Sequence, residues 1–207
     1  MPNWCNNNVT ISHPDPKKLE ALASAVRKGE FCMHVIPTPK ELTDTVAGSM
    51  GEDQREAHEA QQKSNLEKYG HTDWYSFQTS RWGTKWDVES YDGEHTRVEN
   101  GVLRFGFDSA WSPPIGIYQE LIEQGFQVQA QYYESGMGFV GEWNDGDDIY
   151  YDIGGYDSKT VRDAIGEFLD DNFGISESMA EYEAENVDEF QTWYEDGVEK
   201  HGLEPHR

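Results

Sequence analysis

The chain has 207 residues, 40 of them acidic and 16 basic, for a net charge of −24 at neutral pH. That balance argues against direct binding to nucleic acid through its phosphates, or to an anionic membrane, because both need the opposite sign; it favours a basic partner protein. Mean hydropathy is low, at −0.84, yet 13% of the residues are aromatic, so a folded body with a small aromatic core and a very polar surface is expected rather than a disordered chain.

In chain order, residues 3–12 read as a strand. A helix follows over 16–28, with Asp15 as its cap, Pro16 in its first turn, Leu19, Leu22 and Val26 as its apolar stripe, and Gly29 ending it. Phe31–Ile36 reads as a second extended segment, stopped by Pro37 and Pro39. Residues 40–72 are polar and read as a solvated helical insertion, and 73–88 are dense in aromatics: Trp74, Tyr75, Phe77, Trp82 and Trp86.

Residues 102–108 form a strand with Leu103, Phe105 and Phe107 on one face. Ser112 then suits an N-cap and Pro113 a first helical residue, for a helix carrying Ile115, Tyr118, Leu121 and Ile122 inward to Gly125. Residues 126–133 alternate, with Phe126, Val128, Ala130 and Tyr132 against Gln127, Gln129, Gln131 and Tyr133, as a half-buried strand does. Segments 137–143 and 149–153 read as a hairpin around Asp145-Gly146. A helix over 158–173 buries Val161, Ala164, Ile165, Phe168 and Leu169. From Ser176 the chain reads as acidic helices, with Met179, Tyr182, Val187, Phe190, Trp193, Tyr194 and Val198 as a seam.

The order β-α-β, insertion, β-α-β-hairpin predicts an α+β fold: a ferredoxin-like antiparallel sheet with helices on one face, plus acidic C-terminal helices. The expected division is 1–157 for that domain, with the insertion at about 40–72, and 158–207 for the extension. Residues 142–207 hold 20 acidic and 4 basic residues, so the charge is concentrated there. Two cysteines, Cys5 and Cys32, make no disulfide framework. The opening lacks the basic-then-apolar pattern of a secretory signal, and no run approaches the roughly 20 apolar residues of a membrane span, so a cytoplasmic location is expected.

Three phrases carry a resemblance: Met1-Pro2-Asn3-Trp4-Cys5-Asn6-Asn7, Trp82-Gly83-Thr84-Lys85-Trp86-Asp87 and Ala110-Trp111-Ser112-Pro113-Pro114. Together they resemble the YubB-like phage and plasmid proteins, over roughly residues 1–155. The resemblance implies a mobile-element origin, with the host cytoplasm as the place of action, and a ferredoxin-like fold. It implies no activity and no catalytic residue.

From the residues themselves, Trp4, Trp82, Lys85, Trp86, Trp111 and Ser112 are candidates to line one pocket, in which a helix start and Lys85 would hold an anion; equally, the tryptophans fit core packing and Ser112 a helix cap. Gly136, Gly138 and Gly141 match a dinucleotide-binding string, but a hairpin rather than a helix follows. Asn144, Asp145, Asp147, Asp148 and Asp152 lack the spacing of a calcium loop, and Cys5, His13, Cys32 and His34 lack that of a zinc site. No metal, cofactor or catalytic group is expected.

Glu177, Glu181, Glu185 and Glu189 recur every four residues, with Asp188 beside them. On one helix they form a row spaced about 6 Å apart, in which each like-charged pair costs roughly 0.2–0.5 kcal/mol. A row of that kind resembles the phosphates of a nucleic-acid strand; surface acid for solubility or high salt explains it as well. The favoured function is therefore a non-enzymatic accessory protein that binds a basic host protein or nucleic-acid-binding complex, acting as an acidic nucleic-acid mimic against a host defence or nucleic-acid-binding factor. A ligand-binding or catalytic domain built on the tryptophan and lysine motifs is one alternative, and a module that self-associates is another.

Overall fold

The structure, a computed structural model, describes residues 3–186. The chain divides into two compact units, Met1–Tyr150 and Tyr151–Arg207. The elements of the first, in order, are β1 (Trp4–Ser12), α1 (Pro16–Arg27), α2 (Phe31–Val35), α3 (Lys40–Thr43), α4 (Glu52–Tyr69), α5 (Trp74–Arg81), β2 (Val98–Glu99), β3 (Val102–Ala110), α6 (Ile115–Glu123), β4 (Gln127–Glu134) and β5 (Phe139–Asn144). Strand β6 (Asp147–Asp152) completes one six-stranded antiparallel sheet of order β2-β3-β1-β4-β5-β6. The fold class is α+β. Strand β1 lies inside the sheet, antiparallel to β3 on one side and β4 on the other.

Alternation in the strands separates the two faces of the sheet. Val9, Ile11, Leu103, Phe105, Phe107, Val128, Ala130 and Trp143 point into one core with Leu19, Leu22 and Val26 of α1, Phe31 and Cys32 of α2, and Ile117, Tyr118 and Leu121 of α6. The opposite face of β1 is polar and at least partly open to solvent: Asn6, Asn8, Thr10 and Ser12. Asn7 sits on the inner face at full burial, and its polar atoms are matched: the amide donates to the Cys5 carbonyl and the Ser109 hydroxyl, and its oxygen accepts from Tyr118. Helix α1 has the predicted cap, Asp15 accepting from the Lys17 N–H at 2.9 Å.

Several elements differ from expectation. Phe31–Ile36 is not extended. The backbone N–H groups of Cys32 and Met33 donate to the two carboxylate oxygens of Asp87, so a side chain 55 and 54 residues away caps the short helix α2. This helix buries Cys32 and turns His34 outward, which separates two residues that a strand would have put on one face. Helix α6 starts at Ile115 rather than Pro113, without a side-chain cap, and buries Ile117, leaving Ile115 and Ile122 half-buried. The polar stretch contains α3 and the 18-residue α4, in which Asn65 alone is buried. The hairpin turns at Asp145-Gly146 as expected, both with positive φ.

In the second unit, α7 (Val161–Ile165) and α8 (Glu167–Phe173) replace the single helix expected over 158–173, because Gly166 breaks it at φ 85°. Phe168, expected inside, is exposed. Helical backbone continues over 175–186, and Tyr182, read from sequence as part of an apolar seam, faces solvent. Val187, Phe190, Trp193, Tyr194 and Val198 of that seam lie outside the described residues. The start of this helix is tied to α8: the Ser176 N–H and hydroxyl both donate to Asp170 at 2.7 Å, and Arg162 pairs with the same carboxylate at 2.6 Å. Among the described residues, no helix is long and apolar enough to cross a membrane.

Two predictions follow from this packing. A Cβ at Gly116 would lie 2.1 Å from the Arg81 carbonyl oxygen, so Gly116→Ala forces α5 and α6 apart and lowers unfolding free energy by about 1–3 kcal/mol in denaturant titration. Burial alone raises the Asp170 pKa, but the Ser176 bonds and Arg162 outweigh it and hold the carboxyl below its usual range. A depressed folded-state pKa contributes stability above the unfolded value of about 3.9 and loses it as pH falls through the folded value. Helical circular dichroism followed from pH 6 to pH 2 is expected to show this acid loss, and Asp170→Asn to be less stable at pH 6 with a flatter acid limb.

Candidate functional site

Two loops and the residue preceding β1 meet where β1 starts and β3 ends. Trp4 pairs with Ala110 across the β1–β3 ladder. The Thr84 hydroxyl accepts the Ala110 N–H at 3.0 Å and donates to the Ala110 carbonyl at 3.1 Å, while fully buried. Ser112 donates its hydroxyl to the Gly83 carbonyl, and the Gly116 N–H donates to the Trp82 carbonyl at 3.2 Å. These bonds fasten the 82–87 loop to the 110–116 loop. Trp111, held between them, has φ 69°, an uncommon and strained conformation for a bulky residue. Its N–H donates to the Asn3 carbonyl at 2.9 Å.

The six sequence candidates divide under this geometry. Trp82 is 1% exposed, with its indole N–H donating to the Ile36 carbonyl at 2.8 Å, so it belongs to the core. Ser112 is a loop fastener and not the helix cap expected of it. Trp4, Trp86 and Trp111 are 47%, 39% and 41% exposed, and Trp86 and Trp111 flank a half-buried Lys85. The Lys85 ammonium lies 4.3 Å from the Trp86 ring centre, 5.4 Å from Trp111 and 5.7 Å from Tyr75. Contacts of this kind are worth about 0.5–1 kcal/mol each at exposed sites. Trp4 packs beside Trp86 at 6.1 Å, and Tyr75 meets Trp111 edge to face at 6.4 Å.

Sequence reasoning did not place Tyr75 in the site. Its only signal is the aromatic density of 73–88; it stands in the first turn of α5, which Asp73 caps through the Ser76 N–H. Beside Trp4 runs an open groove of about 470 Å³, lined also by Asp87, Glu89, Ser90, Tyr91 and Asp108. The Asp108 carboxylate accepts from Asn6 and from the Tyr91 hydroxyl at 2.6 Å. Burial pushes the Asp87 carboxyl up, against three backbone N–H bonds that lower it.

The acidic candidates lie in the other unit. Glu177, Glu181 and Glu185 are all exposed on the helix over 175–186, and their spacing of four puts them on one side of it. Glu183 is off that row and is bonded to the Ser158 N–H and hydroxyl. Asp188 and Glu189 lie outside the described residues.

Neither cysteine is a ready nucleophile. Burial pushes the Cys5 thiol up to about 12 and the Cys32 thiol well above its usual value, so both are protonated at neutral pH. Among the described residues, no group of three metal-ligating side chains converges. Gly136, Gly138 and Gly141 lie in the β4–β5 turn and in β5, with no helix after them.

No family model matches the sequence, and no curated protein matches it. Among solved structures the chain is similar to the crystal structure of api92 from Yersinia pseudotuberculosis, a DUF1281 protein, with 10% identity and a TM-score of 0.39, covering 75% of this chain and all of that one.

The division of roles among the tryptophans predicts a division of stabilities. Trp82→Ala removes a buried ring and costs about 3–5 kcal/mol, whereas Trp86→Ala, which loses only exposed contacts, stays within about 1 kcal/mol of wild type. Parallel denaturant titrations measure both.

Proposed function

We propose that this protein acts by binding another protein, through the exposed aromatic cluster of Tyr75, Trp86 and Trp111 around Lys85, with Trp4 beside Trp86. The observation that supports this best is the partition within the two loop motifs. In Trp82-Gly83-Thr84-Lys85-Trp86-Asp87, the core takes Trp82, the loop clamp takes Gly83 and Thr84, and the α2 cap takes Asp87. In Ala110-Trp111-Ser112-Pro113-Pro114, all but Trp111 are buried or bonded inward. What remains is a half-buried Lys85 with Trp86 and Trp111, which are large, adjacent, partly exposed and outside the core. Tryptophan and tyrosine in such clusters carry most of the energy of protein interfaces. Two buried, protonated thiols and no converging ligand set among the described residues leave binding better supported than chemistry.

The strand order β2-β3-β1-β4, with α1 leading out of β1 and α6 joining β3 to β4, supports the ferredoxin-like reading of the sheet. An accessory protein of a phage or plasmid, working in the host cytoplasm on a basic protein or nucleic-acid-binding complex, is the setting that the sequence motifs and the net charge support. A second reading, that the chain mimics nucleic acid, is favoured by one observation: Glu177, Glu181 and Glu185 stand exposed on one side of a helix.

Affinity capture from host lysate at low and moderate salt separates the two. Wild type is expected to retain a stoichiometric partner. Trp86→Ala with Trp111→Ala is expected to weaken retention at least about tenfold, and Glu177→Lys with Glu181→Lys and Glu185→Lys to leave it nearly unchanged. The opposite pattern would transfer the function to the acidic helix.

A further inference from the structure

Three aromatic rings surrounding one ammonium form a cation-binding cage, and here the occupant is the chain's own Lys85. The walls and the occupant differ in how firmly they are held. Trp111 is fixed by its positive φ and its bond to Asn3; Tyr75 stands in the first turn of the capped helix α5; Trp86 precedes Asp87, whose carboxylate is locked into three backbone N–H groups. Trp4 and Trp74 back the walls, at 6.1 Å from Trp86 and 5.9 Å from Tyr75. Lys85 hangs on a flexible four-carbon stem. Its ammonium meets three rings, those of Tyr75, Trp86 and Trp111.

We infer that the cage of Tyr75, Trp86 and Trp111 is a recognition pocket for a cationic side chain, lysine or arginine, of a basic partner protein, and that Lys85 plugs it until the partner displaces it. Charge complementarity selects this occupant. Asp87, Glu89 and Asp108 line the groove that starts at Trp4, and a net charge of −24 draws cations toward the surface and repels anions. The inference rests on the binding role proposed above and adds the chemistry of the group that enters.

The test uses the full chain and small probes, so it needs no partner. Arginine amide, lysine amide, tetramethylammonium and acetate are titrated at constant ionic strength, with the indole N–H resonances of Trp86 and Trp111 as the readout. Lys85→Ala is expected to bind arginine amide or lysine amide at least about tenfold more tightly than wild type, because the plug and its like charge are gone. Lys85→Arg is expected to behave as wild type, and adding Trp86→Ala to Lys85→Ala to abolish the gain. Lys85 is outside the core, and an unchanged melting midpoint confirms that the variant folds. Equal binding by Lys85→Ala and wild type would overturn the inference, as would a gain for tetramethylammonium alone. Acetate binding by wild type that Lys85→Ala loses would also overturn it and make the cluster an anion site. Loss of the captured partner in the Trp86, Trp111 variant, together with no gain in Lys85→Ala, would leave the binding role standing and remove only the cage.

Discussion

The reciprocal hydrogen bonds between the Thr84 hydroxyl and the Ala110 backbone hold the exposed end of this protein together. They carry a loop that begins in the core at Trp82 across to the end of β3, the strand beside the central β1. The positions around them depend on that junction. Ser112 can reach Gly83, Gly116 can accept the close approach of Arg81, and Asp87 arrives where α2 needs a cap. The same junction holds Trp111 at positive φ, a conformation costing of order 1–3 kcal/mol that persists only where its surroundings over-determine it. The ring so held is partly exposed and meets Tyr75 and Lys85.

The electrostatic setting gives the aromatic cluster its meaning. A chain with 40 acidic residues and 16 basic ones has carboxylates in excess for every cation, yet Lys85 is held by rings instead. Two other cations are used structurally: Arg162 gathers Glu167, Asp170 and Asp171, and Lys68 ties α4 to Glu41. On the proposed binding role, an aromatic surface bordered by acid is matched by a basic surface. Rim charges of this sort steer association and set its salt dependence, and the aromatic anchors supply affinity.

The parts of the fold that were legible in the sequence are those whose causes are local. The alternation in β4, the apolar faces of β3 and α1, the Asp15 cap and the Asp145-Gly146 turn all follow from neighbouring residues. The misread parts have distant causes. Phe31–Ile36 has the composition of a strand, and only Asp87, far along the chain, makes it helical. Ser112-Pro113 has the form of a helix start, but the Ser112 hydroxyl is taken by Gly83 across the loop junction. Of the candidate site, Trp86 and Trp111 flank Lys85 and Trp4 packs beside Trp86, while Trp82 could not be told from them in sequence because burial, not residue type, separates them. Tyr75 was missed because nothing in its own surroundings in the sequence links it to Lys85.

The central claim is that the three exposed tryptophans, not the acidic helix, are the contact surface. Oxidative footprinting read tryptophan by tryptophan, in the free chain and in its complex, tests it most directly. The account predicts that Trp4, Trp86 and Trp111 react in the free chain and are protected in the complex, with Trp82 and Trp143 silent in both. Trp4, Trp86 and Trp111 reacting in the complex as they do in the free chain would contradict it.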